Sequence, residues 1–327
     1  MGRLIDIAWP AVDVQVTAKL ADDMNPELCD DFWAATPFRV LQSHPVVSGE
    51  SVYAWAPLVS TAPVRRVMKI SDCPVGSMRY SQATGNKFSV QYGRGLETTS
   101  QPVLGAVLPE FAHRLPTVGR AAWENTFWTK EFLWVEVRKH GDKQEPRTPT
   151  PDAKHPTAKE FIDEAARICT TEPDDLRRLR LGLVESAGSF GQYFTTWDFA
   201  NGMIRDYVMY TIYPLLKFCK KLATPALVAD ALDTWDTPYS EFLAYCGFTT
   251  LDRLSADLKK AVRSAKTLDE VEELIRTFLL YGNRLCAWSY HFFPHHIGVF
   301  YKREDYRAGL PGRWRQVADA GTSGEGR

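Results

Sequence analysis

The sequence predicts an α+β protein, with a β-rich N-terminal half followed by an all-α helical bundle. Three observations carry this. Over the first 140 residues apolar side chains recur at every second position. From Thr157 onward they recur with helical period. Between the two runs a polar, proline-rich stretch without any period. At roughly 150 residues per domain, a chain of 327 residues accommodates about two.

The elements follow in order. Val12, Val14, Val16, Ala18 and Leu20 alternate with Asp13, Gln15, Thr17 and Lys19, which marks a strand with one buried face. Asn25-Pro26-Glu27 reads as a helix start, an N-cap followed by proline at the first helical position. Leu28, Phe32 and Trp33 form that helix's apolar face. Ser51–Val59 and Lys87–Tyr92 are rich in aromatic and β-branched residues and read as strands. Leu133, Val135 and Val137 alternate with Trp134, Glu136 and Arg138 in a further strand. Turn signals lie at Ser48-Gly49, Pro74 with Gly76, Thr84-Gly85-Asn86, and Gly93 with Gly95.

These readings make residues 1–140 the β-rich domain. Gly141–Pro156, with four prolines, is the linker, and residues 157–310 are the bundle. Thr157–Glu160 and Thr267–Glu270 have capping-box spacing, and Thr224-Pro225 starts another helix. Leu268, Val271, Leu274, Ile275, Phe278, Leu279, Leu285 and Trp288 form one long stripe, the pattern of a core-facing helix. Residues 311–327, ending in AGTSGEGR, are expected to be partly disordered.

Charge narrows the function. Lys plus Arg number 39 and Asp plus Glu 40, a balance that argues against binding driven by phosphate neutralisation. The six cysteines show no CxxC pair or zinc-finger spacing, so reduced thiols in a cytoplasmic protein are expected. No apolar run of signal-peptide length opens the chain, and Asp6 stands where a myristoylation start needs Ser or Thr. The most apolar run, Val208–Leu216, is too short to span a bilayer.

Dinucleotide, P-loop, zincin and nucleophile-elbow motifs are all missing. His291 and His295 have metal-ligand spacing, but Pro294 between them breaks the helix they would need, so no metal site is assigned. Three stretches look unusual for pure packing. Pro37–Gly49 mixes apolar residues with Gln42, His44 and Ser48. Gln91–Ser100 carries Glu97 just beyond a strand and a double-glycine turn, where desolvation in a pocket would suit a proton shuttle. Trp288–His296 closes the long last helix with aromatics and histidines. Each also has a bland reading, as a hairpin connection, a surface loop and an aromatic core.

Together the stretches LQSHPVVSGESVY (Leu41–Tyr53), SQATGNKFSVQYGRGLE (Ser81–Glu97), AGSFGQYFTTWDFANG (Ala187–Gly202) and YGNRLCAWSYHFFPHHIG (Tyr281–Gly298) resemble the bacterial Pictet–Spengler enzymes that build β-carbolines from tryptophan. Asn25–Leu28 matches as well, and the segments keep family order. The resemblance implies a cyclophilin-like barrel followed by the helical bundle of cucumopine-type synthases. It implies small-molecule substrates, L-tryptophan or a substituted tryptophan with an aldehyde or 2-oxo acid. No cofactor, nucleic acid or membrane partner is implied, and the assembly would be a homodimer. Glu97 falls at the position of the family's acid/base. Lys87 stands at a substrate-binding position where the family has His. The family's second basic residue has no clear counterpart; Lys69 and Arg79 are nearest. Lys87, then His44, are the expected partners of the substrate carboxylate. Phe190, Tyr193, Trp288 and Phe293 are expected to wall the indole, with Gln42 and His291 as further substrate contacts. Two alternatives are an opine-type synthase joining histidine to a 2-oxo acid and a non-catalytic cyclophilin-like binding module.

Overall fold

The computed structural model describes residues 2–147, 151–184, 195–236 and 239–294. Its N-terminal half is a closed antiparallel barrel. The strands are β1 (Leu4–Trp9), β2 (Val14–Leu20), β3 (Phe38–Ser43), β4 (Gly49–Trp55), β5 (Val67–Lys69), β6 (Ser77–Ser81), β7 (Lys87–Gly95), β8 (Ser100–Val107) and β9 (Trp134–Lys139). They pair in the order β2-β1-β9-β3-β4-β7-β6-β8. β8 then returns to β2 through Ala18↔Val107 and Leu20↔Gly105, which removes both sheet edges. β5 adds to β8 at Val67↔Pro102. The barrel core takes alternate residues such as Ile5, Ile7, Val16, Ala18, Val135 and Val137, all buried. Two helices, α1 (Pro26–Ala35) and α2 (Leu115–Glu124), bury Leu28, Phe32, Leu115 and Val118 in the same core.

The bundle consists of α3 (Pro156–Arg167), α4 (Asp174–Arg180), α5 (Thr196–Arg205), α6 (Tyr213–Cys219), α7 (Pro225–Asp236), α8 (Tyr239–Tyr245), α9 (Thr249–Ser264) and α10 (Leu268–Phe292). A π-helical stretch, Asp206–Ile212, joins α5 to α6. α10 packs against α3, α5, α6 and α9. The predicted stripe holds over its first turns. From Tyr281 to Ser289 every residue is buried, because here the helix runs between the bundle and the barrel. Arg284 donates to the carbonyls of Trp55 and Ala56, the Tyr213 hydroxyl donates to Ser60 O at 2.9 Å, and Leu41, Tyr53, Trp55 and Val59 join the bundle core. All six cysteines are buried and free. Among the described residues no helix is long and apolar enough to cross a membrane.

Several local expectations need correction. β2 begins at Val14, since Pro10–Val12 forms a 3-10 turn and Asp13 turns the chain with φ 52°. β4 ends at Trp55, short of Pro57. Gly93 and Gly95 do not form a turn; β7 runs straight through them. Gly95 is needed because the Ile70 carbonyl lies where its side chain would be. The Asn25 side chain does not cap α1. Instead it donates to the carbonyls of Arg66 (2.9 Å) and Val103 (2.7 Å) and accepts from the amides of Arg65 and Arg66. α3 starts one residue early, at Pro156, and its cap is the His155 ring rather than Thr157. Thr267 does cap α10, through the Glu270 amide. The end of the expected bundle and the tail from residue 311 lie outside the described residues.

Candidate active site

The barrel meets the bundle at a two-lobed cleft. Both lobes are lined by Ser48, Ser81, Lys87 and Gln101 from the barrel and by Arg205 and Tyr290 from the bundle. The outer lobe, about 550 Å³, adds Glu97 with Met209, Tyr213 and Lys217. The inner lobe, about 290 Å³, adds His44, Tyr53, Arg79 and Ser89. These volumes suit small organic molecules.

Glu97 follows the last residues of β7 and is held from both sides. Leu96 N donates to Ser48 O at 3.1 Å, and Ser71 N donates to Glu97 O at 2.9 Å. Its half-buried carboxylate accepts a hydrogen bond from the Ser48 hydroxyl. Lys87, the first residue of β7, carries its ammonium into an aromatic cage. Nζ lies 5.0 Å from the ring centres of Tyr53 and Trp55 and 5.9 Å from that of Tyr290. It makes no hydrogen bond or ion pair among the described residues. Burial pushes it down to about 8, against the opposing pull of Cys286 and Glu97. Cation–π attraction to the three rings favours its charged form.

Of Arg79 and Lys69, Arg79 reaches the cleft. Gly76, with φ 90°, turns the chain into β6, and Arg79 points into the inner lobe, 1% exposed. One end of its guanidinium donates to Gln91 Oε1 at 2.8 Å, while its Nε has no partner among the described residues. Burial lowers its pKa, and the nearby Cys73 and Glu97 oppose that. Lys69 lies exposed on β5 and does not line the cleft.

Other expected contacts fall elsewhere. Gln42 lines no part of the cleft. It is 1% exposed, accepts from Trp9 Nε1 at 2.7 Å and donates to Tyr53 O at 2.6 Å. His44 lines the inner lobe, where burial disfavours its cationic form. Burial drives it down to about 3, and its ring is tied to Tyr92 and the Pro45 carbonyl. Trp288 is core: Nε1 donates to Ile168 O at 2.6 Å and its ring stacks on Phe292. His291 and the Phe293 backbone form a strut with Lys130, whose ammonium donates to both their carbonyls while its own carbonyl meets the His291 ring. Burial holds His291 down to about 4. Phe190 and Tyr193 lie outside the described residues. The sequence reading missed Ser48, Tyr53, Arg205 and Tyr290 as cleft residues. Ser48, Tyr53 and Tyr290 do sit inside the motifs that carry the resemblance; Arg205 has no such signal. Among the described residues no three His, Cys, Asp or Glu side chains converge as a metal site would need.

The arrangement supplies a fixed carboxylate in one lobe, a buried guanidinium in the other and a caged ammonium that lines both. Such a set can bind an anionic, aromatic molecule and move protons on it. The model of the cucumopine synthase C-terminal helical bundle domain matches residues 156–292. A search of the curated proteins finds no match. Among solved structures, the hypothetical protein AF2241 from Archaeoglobus fulgidus is a remote likeness, 11% identical over 42% of this chain and 95% of that one, with a TM-score of 0.29. McbB, solved in complex with tryptophan, is 30% identical, superimposes with a TM-score of 0.81, and is matched over 90% of this chain and 98% of its own. The chain belongs to the family of McbB, the Pictet–Spenglerases that form β-carbolines.

Proposed function

We propose that the protein condenses L-tryptophan, or a substituted tryptophan, with an aldehyde or 2-oxo acid and closes the tetrahydro-β-carboline ring. The observation that carries this reading is Glu97 lining the same lobe of the cleft as Lys87, with Arg79 in the adjoining lobe that Lys87 also lines. The chemistry needs a proton acceptor twice and a donor once. The tryptophan ammonium loses a proton, and its amine adds to the carbonyl carbon. The resulting carbinolamine is protonated on its hydroxyl and loses water, leaving an iminium. Indole C2 attacks the iminium carbon, and the C2 proton then leaves to restore the indole. Glu97 serves all three steps, because the proton it takes in the first is given back in the second. Acid–base work of this kind contributes about 10²–10⁴-fold. The remainder comes from holding the indole and iminium in attack geometry.

The substrate carboxylate is taken by the cationic wall, Lys87 first and the unpaired side of Arg79 next. Tyr53 and Tyr290 give the indole an aromatic surface. The same reading makes the enzyme a cytoplasmic homodimer; six free, buried thiols suit a reducing compartment, and sedimentation of the purified chain tests the assembly. The role of Glu97 is tested by Glu97→Gln: calorimetry should find tryptophan still bound, with cyclisation lost. Full turnover by the variant would remove Glu97 from the mechanism.

A further inference from the structure

We infer that Ser48 is a positioning residue for the cyclisation, a tether that keeps the Glu97 carboxylate out of an ion pair with the cleft's own cations. This rests on Glu97 being the acid/base.

Glu97 shares its cleft with Lys87 and Arg79, and both cations feel its charge. A glutamate has three side-chain torsions, and an unrestrained carboxylate in a cleft of low dielectric would swing onto the nearer cation. It does not. Glu97 forms no salt bridge to either among the described residues, and its one side-chain hydrogen bond is the one it accepts from Ser48 Oγ. The other carboxylate oxygen has no hydrogen-bond partner there. A carboxylate paired to Lys87 would neutralise the site meant for the substrate carboxylate and would leave the proton-transfer path.

The tether is anchored independently of its hydroxyl. Ser48 O accepts from Leu96 N at 3.1 Å, one residue before Glu97. Gly49 follows with φ 91°, and a side chain there would run into Arg94 O and Leu96 N, so the turn lies directly against the Glu97 segment. Glu50 adds a third link, accepting from Arg94 N at 2.8 Å. On the far side, Ile70 N donates to Thr99 O at 3.0 Å. The backbone around Glu97 is therefore fixed without the Ser48 side chain, and what the hydroxyl controls is the direction of the carboxylate. Ser48 is only partly buried, so removing its oxygen leaves the fold in place.

The experiment compares wild type, Ser48→Ala, Ser48→Thr and Glu97→Gln in steady-state kinetics with tryptophan and a competent carbonyl compound. Ser48→Ala should lower kcat by about 10–100-fold, the scale of a lost hydrogen bond to a charged group, with tryptophan KM within about threefold. Ser48→Thr, which keeps the hydroxyl, should recover most of kcat. Wild-type kcat in Ser48→Ala, beside an inactive Glu97→Gln, would overturn the tether and leave the Glu97 reading intact. Equal losses in Ser48→Ala and Ser48→Thr would overturn it in favour of a packing role. A fully active Glu97→Gln would overturn both.

Discussion

Lys87 of the barrel and Tyr290 of the bundle face each other across the junction of the two halves, ammonium 5.9 Å from ring centre. The cage around the cation is thus completed only when α10 docks on β3 and β4. The proposed carboxylate partner on one half depends on a wall from the other, so the proposed activity requires the docked arrangement.

Removing the cation should weaken substrate binding more than turnover. Lys87→Met is expected to raise tryptophan KM by about 10–100-fold, the range for a lost hydrogen bond to a charged group. The wild-type KM should also rise with pH. Lys87, lowered to about 8, is charged below that value and loses its charge above it, so binding of the carboxylate holds at neutral pH and fades through pH 8. Lys87→Arg should abolish this alkaline limb because a guanidinium stays charged. KM measured between pH 6.5 and 9.5 checks both.

The ring of Tyr290 matters more than its hydroxyl. Tyr290→Ala removes one wall of the cage, worth about 0.5–2 kcal/mol, and should raise tryptophan KM several-fold. Tyr290→Phe keeps the ring, gives up the hydroxyl that bonds Arg205, and should stay near wild type. Parallel kinetics of the two variants make the comparison.

Trp288 should behave as core. Trp288→Phe gives up volume and the hydrogen bond to Ile168 O, and is expected to cost about 1–2 kcal/mol in urea unfolding. Tryptophan KM should not change. A raised KM at unchanged stability would instead return Trp288 to the substrate wall.

These contrasts show which parts of the molecule the sequence made readable. Long single-period runs were legible: the α10 stripe and the alternation in β2 and β9 report faces that are buried on one side. β6 and β8 were not. β6 reads SMRYS because all of its residues are buried and part of it lines a polar cleft, so no alternation survives. β8 carries Pro102 and Gly105. α2 was hidden by Pro116 and Gly119. In the site, Glu97 and Lys87 stood out through their motifs, whereas Arg205 comes from a helix whose docking no local pattern encodes. His44 and His291 looked functional because their motifs are polar and aromatic. Burial turns one into a neutral part of the inner wall and the other into a strut.

Those two histidines predict how stability depends on pH. Both are depressed in the folded state, to about 3 and about 4, below the ordinary value of 6.5. The unfolded chain binds their protons first, so the stability they contribute is complete above pH 6.5 and is lost as pH falls towards 4. Each is expected to remove up to about 1.4 kcal/mol per pH unit in that window. Urea denaturation at pH 7, 6 and 5 should show the decline, and His291→Gln should flatten it by roughly one histidine's share.

The most direct test is mass spectrometry of the purified protein incubated with L-tryptophan and a panel of aldehydes and 2-oxo acids, with histidine as a second amine and Glu97→Gln alongside. The account predicts a product at the summed mass of tryptophan and one carbonyl compound minus water, absent with the variant. Product from histidine alone, or product formed equally by Glu97→Gln, would contradict it.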